Sequence, residues 1–375
     1  MNRRLVVGAV YAAGILQGAA FVLVPSLGSI LTAAPYGFSA SAYGWLYFPE
    51  IGGAIAGALA APLLQQRAGS QGVLRVGLAA NLAGMALLVI ASRATGTTAY
   101  TAILLETLAL GLGFGLTLAA VNHYAALLFA ASETAAVTVL NGLVGGATAL
   151  SPLLLDAAQR YAGWGAWPAL LLAGFAVLLF APLPEHRPAS QGPTWQPAML
   201  PFALAVLFYA LCEGTFSSWA SVYVGRGAGS WGTLALSAFW AGMTLFRLLL
   251  AFLPQRLVSR AALLAASGLA VGAAFLLVGS LHGQPAALIV AFALAGAACS
   301  IYYPYVMALG LAIWPQRQVA LAGLLVAALM IGEGLGSTAP GALQRWVPLE
   351  QIYRYSALWA LPLAGLAYAL ARRRG

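Results

Sequence analysis

Long apolar runs, each about the length of a bilayer crossing, alternate with short polar turns along the whole chain. A helix needs roughly 20 apolar residues to cross about 30 Å of hydrocarbon. By that measure the crossings run from Leu5 to Leu31, Gly44 to Leu64, Val73 to Ser92, Tyr100 to Val121, Ala135 to Leu155 and Trp164 to Leu183. A polar stretch, PEHRPASQGPTWQP, interrupts the pattern. Six more runs follow: Leu200 to Val224, Leu234 to Pro254, Ala261 to Ser280, Ala286 to Leu309, Val319 to Leu343 and Tyr355 to Leu370. Backbone groups in lipid find no water to bond, so each run is expected to be helical. The pattern predicts an all-α membrane protein of twelve transmembrane helices in two six-helix bundles, residues 1–182 and 199–375, joined by a linker over 183–198. The first run follows Arg3 and Arg4 as a signal peptide would, but it is longer than a usual signal core and eleven runs follow it. It is read as a retained crossing.

Composition agrees. With 62% hydrophobic and 7% charged residues, the chain has too little polar surface to coat a soluble globule. The net charge of +9, carried entirely by arginines, would suggest nucleic acid in a soluble protein. Here the arginines cluster in the turns, which fits the positive-inside pattern of a multi-pass protein. Arg3, Arg4, Arg67, Arg75, Arg187, Arg256, Arg260, Arg317 and Arg372 to Arg374 fall on one side, against Arg93, Arg160, Arg226, Arg345 and Arg354 on the other. The expectation is a protein of the cell's inner (cytoplasmic) membrane with both termini cytoplasmic, a lipid bilayer around it and no nucleic-acid partner. Cys212 and Cys299 lie inside apolar runs, which argues against a disulfide framework or a zinc site. Paired histidines of metal-binding spacing and a nucleophile beside a base are both missing from the pattern, so no metal, cofactor or catalytic residue is expected and the chain is not read as an enzyme. A monomer is expected.

The two halves resemble each other. QQRAGSQGVLRVGLAANLAGMALLV from Gln65 aligns without a gap on PQRLVSRAALLAASGLAVGAAFLLV from Pro254, pairing Gln66 with Gln255, Arg67 with Arg256, Ser70 with Ser259 and Leu74 with Leu263. NGLVG from Asn141 parallels EGLG from Glu333. Duplicated halves are a common feature of transporters. Six plus six crossings, a long middle loop and the basic turn PLLQQRAGSQG between crossings 2 and 3 resemble the major facilitator superfamily over essentially the whole chain. In that turn Arg67 and Gly69 match the superfamily signature, while Gln66 stands in place of its aspartate, Pro62 in place of its first glycine, and Ser70 and Gln71 in place of the later basic pair. AAVNHYAALL, VLNGLVGGATALSPLLL, CEGTFSSWASVYV, FWAGMTLFRLL and IYYPYVMAL are similar to the fucose/proton symporter branch. That branch carries an acid where this chain has Leu118, and another in crossing 1, where Gln17 is the strongly polar side chain. The resemblance implies that crossings 1, 4, 7 and 10 line a central cavity and that 3, 6, 9 and 12 face lipid.

Four of the eight acidic residues lie inside crossings: Glu50, Glu106, Glu213 and Glu333 in 2, 4, 7 and 11. A charged aspartate costs about 2.5 to 3.5 kcal/mol at a helix centre on insertion scales, so acids placed there point to function. Tyr209, Glu213, Ser217 and Ser221 recur every four residues and share one helix face. A carboxyl kept neutral in one state and wetted in another can take up and release a proton, which makes these four the proton-coupling candidates. Glu333 lies among Gly332, Gly334 and Gly336 with Ser337 one turn on, while Asn141 shares a face with Thr134, Thr138, Gly145 and Thr148. Arg247, on a face with Trp240 and Thr244, needs a carboxylate, a carbonyl or an anionic ligand as partner. It and Arg67 are the gating or salt-bridge candidates. Gln17, Asn122, Asn141, Ser217, Trp219 and Tyr303 are the substrate-binding candidates. His123, beside Asn122, reads as a surface residue.

The function expected is secondary active transport of a small polar solute, a sugar first among them, by proton symport with alternating access. The rivals are proton-driven efflux of amphipathic compounds and uncoupled uniport. Superfamily drug exporters carry an arginine near the position of Thr107 and a glycine-proline motif that GGATALSP meets only loosely. Both differences favour uptake.

Overall fold

The computed structural model describes residues 2–186, 196–225, 230–252 and 260–371, and every regular element among them is helical. Nine helical segments among the described residues are long and apolar enough to cross a membrane, and Ala166–Leu179 is a shorter apolar helix. The chain is a multi-pass helical membrane protein. It divides into two compact units, Met1–Gly37 with Leu46–Ser190, and Phe38–Trp45 with Gln191–Gly375. Most of the expected linker, and with it Arg187 and Arg256, lies outside the described residues.

The first unit holds α1 (Arg3–Phe21), α2 (Leu23–Leu31), α4 (Phe48–Ala91), α5 (Gly96–Leu128), α6 (Glu133–Tyr161) and α7 (Ala166–Leu179). α4 is 44 residues long, roughly 66 Å at 1.5 Å per residue and more than twice the hydrocarbon thickness. It therefore makes two crossings, and they meet at Gly69. That residue has φ 67 and ψ 176, a left-handed conformation that glycine adopts without steric cost. α5 packs against both arms of α4. Gly53 and Gly57 face Gly111 and Gly115, so that a side chain at Gly111 would strike the Glu50 carbonyl and one at Gly115 the Ala54 carbonyl. Two glycines four apart on each helix let the backbones touch, which is how membrane helices gain packing where hydrophobic association gives none.

Past α7 the chain folds back over the Gly69 bend. The Ser70 amide and hydroxyl both donate to the His186 carbonyl, at 2.9 and 3.0 Å, and the Tyr124 hydroxyl donates to the Pro184 carbonyl at 2.6 Å. His123, read from sequence as a surface residue, is part-buried here with its ring 5.2 Å from that of His186. Removing the hydroxyl with Tyr124→Phe orphans a carbonyl and should cost the strap about 1 kcal/mol. Faster hydrogen exchange at the Ser70 amide is the expected readout; an unchanged rate would mean that Tyr124 does not hold the strap.

The second unit holds α3 (Ala40–Trp45), α8 (Leu200–Gly225), α9 (Trp231–Phe252), α10 (Arg260–Ser280), α11 (Pro285–Cys299), α12 (Tyr302–Ile313), α13 (Gln318–Leu343), α14 (Leu349–Ser356) and α15 (Ala360–Ala371). α8 meets α13 through Gly214, Gly332 and Gly336, each of which would drive a side chain into the facing backbone. α9 meets α11 through Gly242 and Gly296 in the same way. A methyl group at Gly296 would strike the Phe239 carbonyl and sit 2.9 Å from the Met243 nitrogen, whereas Gly323 has open space around it. Gly296→Ala should therefore cost about 1 to 3 kcal/mol by overpacking, and Gly323→Ala nearly nothing. Melting curves of the two purified variants test this; equal midpoints would refute the close approach.

Prolines set two further features. Pro304 has no N–H to give the carbonyl four residues back, and the helix breaks between α11 and α12, just before Tyr302. The orphaned Ser300 carbonyl takes the Arg247 Nε–H at 3.0 Å. Pro340 likewise leaves the Gly336 carbonyl open, and the Thr215 hydroxyl donates to it at 3.1 Å. In both places a side chain from a neighbouring helix fills the gap.

Candidate functional site

In the second unit the α8 stripe lies inside the protein. Tyr209, Ser217 and Ser221 are buried, and Glu213 is 8% exposed. The Tyr209 hydroxyl hydrogen-bonds the Glu213 carboxyl one turn further on. The Tyr209 ring stacks on Tyr302 of α12, with centroids 5.6 Å apart and planes within 2°. Arg247 of α9 is near enough for its charge to act on Glu213, Tyr209, Cys299 and Tyr303. Its Nε–H is committed to Ser300. Helices α8, α9, α11 and α12 thus gather a carboxyl, a guanidinium and three tyrosines into one cluster. Glu213, Arg247 and Tyr303 were legible as candidates. The Ser300 carbonyl was not, although a proline four residues after Ser300 is a usable signal for it.

The remaining candidates of this unit sit at the α8–α13 contact. The Trp219 indole N–H donates to the Ser337 carbonyl at 2.8 Å, and its ring meets Tyr43 of α3 edge to face at 5.1 Å. Trp219 is fully buried. The Tyr43 hydroxyl donates to the Ser218 carbonyl at 2.9 Å, and the Ser218 and Ser337 hydroxyls are 2.7 Å apart. Ser337 also donates to the Glu333 carbonyl at 2.8 Å. Glu333 is part-buried, with its backbone pressed against Gly214, the residue after Glu213. Both cysteines are buried free thiols.

In the first unit polar side chains form three groups. Asn81 of α4 donates to Gln17 of α1 at 2.6 Å and to Thr117 of α5 at 3.2 Å, all three fully buried. Asn81 faces Gly113, where any side chain would collide with its amide. Asn141 of α6 donates to Asn122 of α5 at 3.1 Å, so these two solute-binding candidates are neighbours. Glu106 of α5 is fully buried, and neither carboxyl oxygen has a hydrogen-bond partner among the described residues. The part-buried Glu50 is the charged group that acts on it. Parallel packing of the first arm of α4 on α5 explains this, since Glu50 abuts Gly111 and Gly53 abuts Leu108. Arg67 is exposed near the Gly69 bend. No three His, Cys, Asp or Glu side chains among the described residues converge to hold a metal ion.

No family model matches the sequence, and no curated protein does. Solved structures do. A D-xylose-proton symporter aligns with TM-score 0.78 and 15% identity, over 98% of this chain and 96% of that one. The nucleoside transporter NupG aligns at 0.74 with 14% identity, over 97% and 99%. The E. coli fucose:proton symporter FucP aligns at 0.65 with 15% identity, over the full length of both. The chain shares its fold with these transporters. Glu106 lies about three helical turns before Leu118, the position where the sequence resemblance implies an acid. Hence the site residues rest on this chain's own geometry.

Proposed function

We propose that this chain is a secondary active transporter that moves a small polar solute together with protons by alternating access. It has twelve transmembrane helices in two six-helix bundles, divided near residues 183–198, and both termini face the cytoplasm. It works as a monomer in the inner membrane. The observation that carries the reading is Glu213. This carboxyl is 8% exposed within an apolar crossing, hydrogen-bonded by Tyr209 and under the charge of Arg247. An acid in such a place can be charged or neutral according to what surrounds it, and a carrier exploits that difference by letting protonation and solute occupancy depend on each other. The proposed solute-binding groups are Gln17, Asn122 and Asn141 in the first unit and Ser217, Trp219 and Tyr303 in the second. Glu333, Glu50 and Glu106 are the further proton carriers, and Arg67 the gating arginine.

Uptake into proteoliposomes with an alkaline interior tests the reading. The expected result is solute accumulation above the external concentration, collapsing when a protonophore removes the gradient. Flux that only equalises the concentrations would replace symport by uniport. Dye expulsion would indicate an exporter.

A further inference from the structure

The charge arithmetic around Arg247 names a solute class. A guanidinium stays protonated at any physiological pH, and inside a crossing it needs a carboxylate, a carbonyl or an anionic ligand beside it. Among the described residues, Glu213 is an acid on which the charge of Arg247 acts. That action is indirect. Glu213 is hydrogen-bonded by Tyr209, and the bond from Arg247 goes to the Ser300 carbonyl through Nε. Among the described residues the two terminal amino groups of Arg247 have no hydrogen-bond partner, and the side chain is only part-buried. Holding Nε leaves the two terminal nitrogens as a two-pronged donor. Such a fork matches a carboxylate in a bidentate pair.

Symport sharpens the point. When Glu213 takes up its proton it becomes neutral, and Arg247 loses the negative charge that Glu213 set beside it. A neutral solute would leave that cation unbalanced in the membrane, whereas a carboxylate solute replaces the lost charge one for one. A dianion such as a phosphate monoester would bring a second negative charge for which the cluster offers no second cation.

We infer that the transported solute is a small monocarboxylate whose carboxylate binds the terminal nitrogens of Arg247 while Glu213 holds the co-transported proton. Tyr303, under the charge of both groups, supplies the hydroxyl beside the bound acid. The inference rests on the transporter reading and extends it. One proton and one monoanion cross together, so the cycle moves no net charge.

The purified full chain in proteoliposomes distinguishes the possibilities, with glucuronate, galacturonate and lactate assayed against glucose and galactose. One pH unit, alkaline inside, should accumulate at least one of the acids about tenfold, because a unit of pH is worth a factor of ten per proton. A potassium diffusion potential set with valinomycin should leave that uptake unchanged. The same acid should raise the melting temperature of the wild type and not that of Arg247→Gln, and Arg247→Lys should recover part of the shift. Size exclusion confirms that the variants are folded. Potential-driven uptake of the neutral sugars, untouched by Arg247→Gln, would overturn the inference and leave the transporter standing. An Arg247-dependent melting shift with acid, but flux that never exceeds equilibrium, would keep the carboxylate site and remove the proton coupling.

Discussion

Glu213→Gln is expected to abolish uphill transport while leaving solute exchange intact. Glutamine has nearly the shape of a protonated glutamic acid, and its carbonyl oxygen can still accept the hydrogen bond from Tyr209. What it cannot do is titrate. One pH unit corresponds to about 1.36 kcal/mol, or about tenfold accumulation for one proton per solute. The wild type should approach that ratio and the variant should stay near one. Counterflow, in which labelled solute enters against unlabelled solute inside, needs no change of protonation and should persist. A variant that still concentrates solute would dismiss Glu213 as the coupling carboxyl, and one that lost counterflow as well would show that it serves solute binding instead.

Glu106→Leu should stabilise the protein and impair it at once. Both carboxyl oxygens of Glu106 are buried without a hydrogen bond among the described residues, and the neighbouring acid, Glu50, adds no compensation. An unsatisfied buried polar group costs about 1 to 3 kcal/mol, and an apolar side chain of similar volume removes that cost. The expected result is a higher melting temperature in detergent for Glu106→Leu, little gain for Glu106→Gln, whose amide inherits the same lack of partners, and slower gradient-driven uptake for both. Natural chains keep such a burden where function requires it. A lower melting temperature for the leucine variant would mean that the carboxyl is satisfied, and normal uptake would mean that it carries no proton.

The multi-pass helical character was legible because its signal is local: an apolar run of sufficient length needs no knowledge of its neighbours. Stripes were legible too, since helical spacing puts Tyr209, Glu213, Ser217 and Ser221 on one face wherever the helix packs. What lies opposite that face is a different matter. Asn81 sits in a crossing that the family resemblance turns toward lipid, yet it links Gln17 to Thr117 in the interior. The space it fills exists because Gly113 lacks a side chain, and a match between one residue and a gap 32 positions away leaves no periodic trace. Trp219 illustrates the same limit. Its residue type suits solute stacking and core packing equally, and the Ser337 carbonyl that takes its indole N–H is 118 positions distant. Residues 38–45 precede the second crossing in sequence but group with Gln191–Gly375. There Gly44 packs on Thr338 and Gly341 and the Tyr43 ring meets Trp219, and a pattern confined to the first half cannot reveal such partners.

The missing proton donor at Pro304 has a bearing on how a positive charge is oriented in an oily setting. Were an aspartate or glutamate used to orient Arg247, the pair would satisfy itself and have little affinity left for anything else. An amide oxygen takes up Nε but carries no formal charge, so the two terminal nitrogens are left for another acceptor. A ring closure in the backbone of one helix thereby keeps the arginine of another both immobile and receptive.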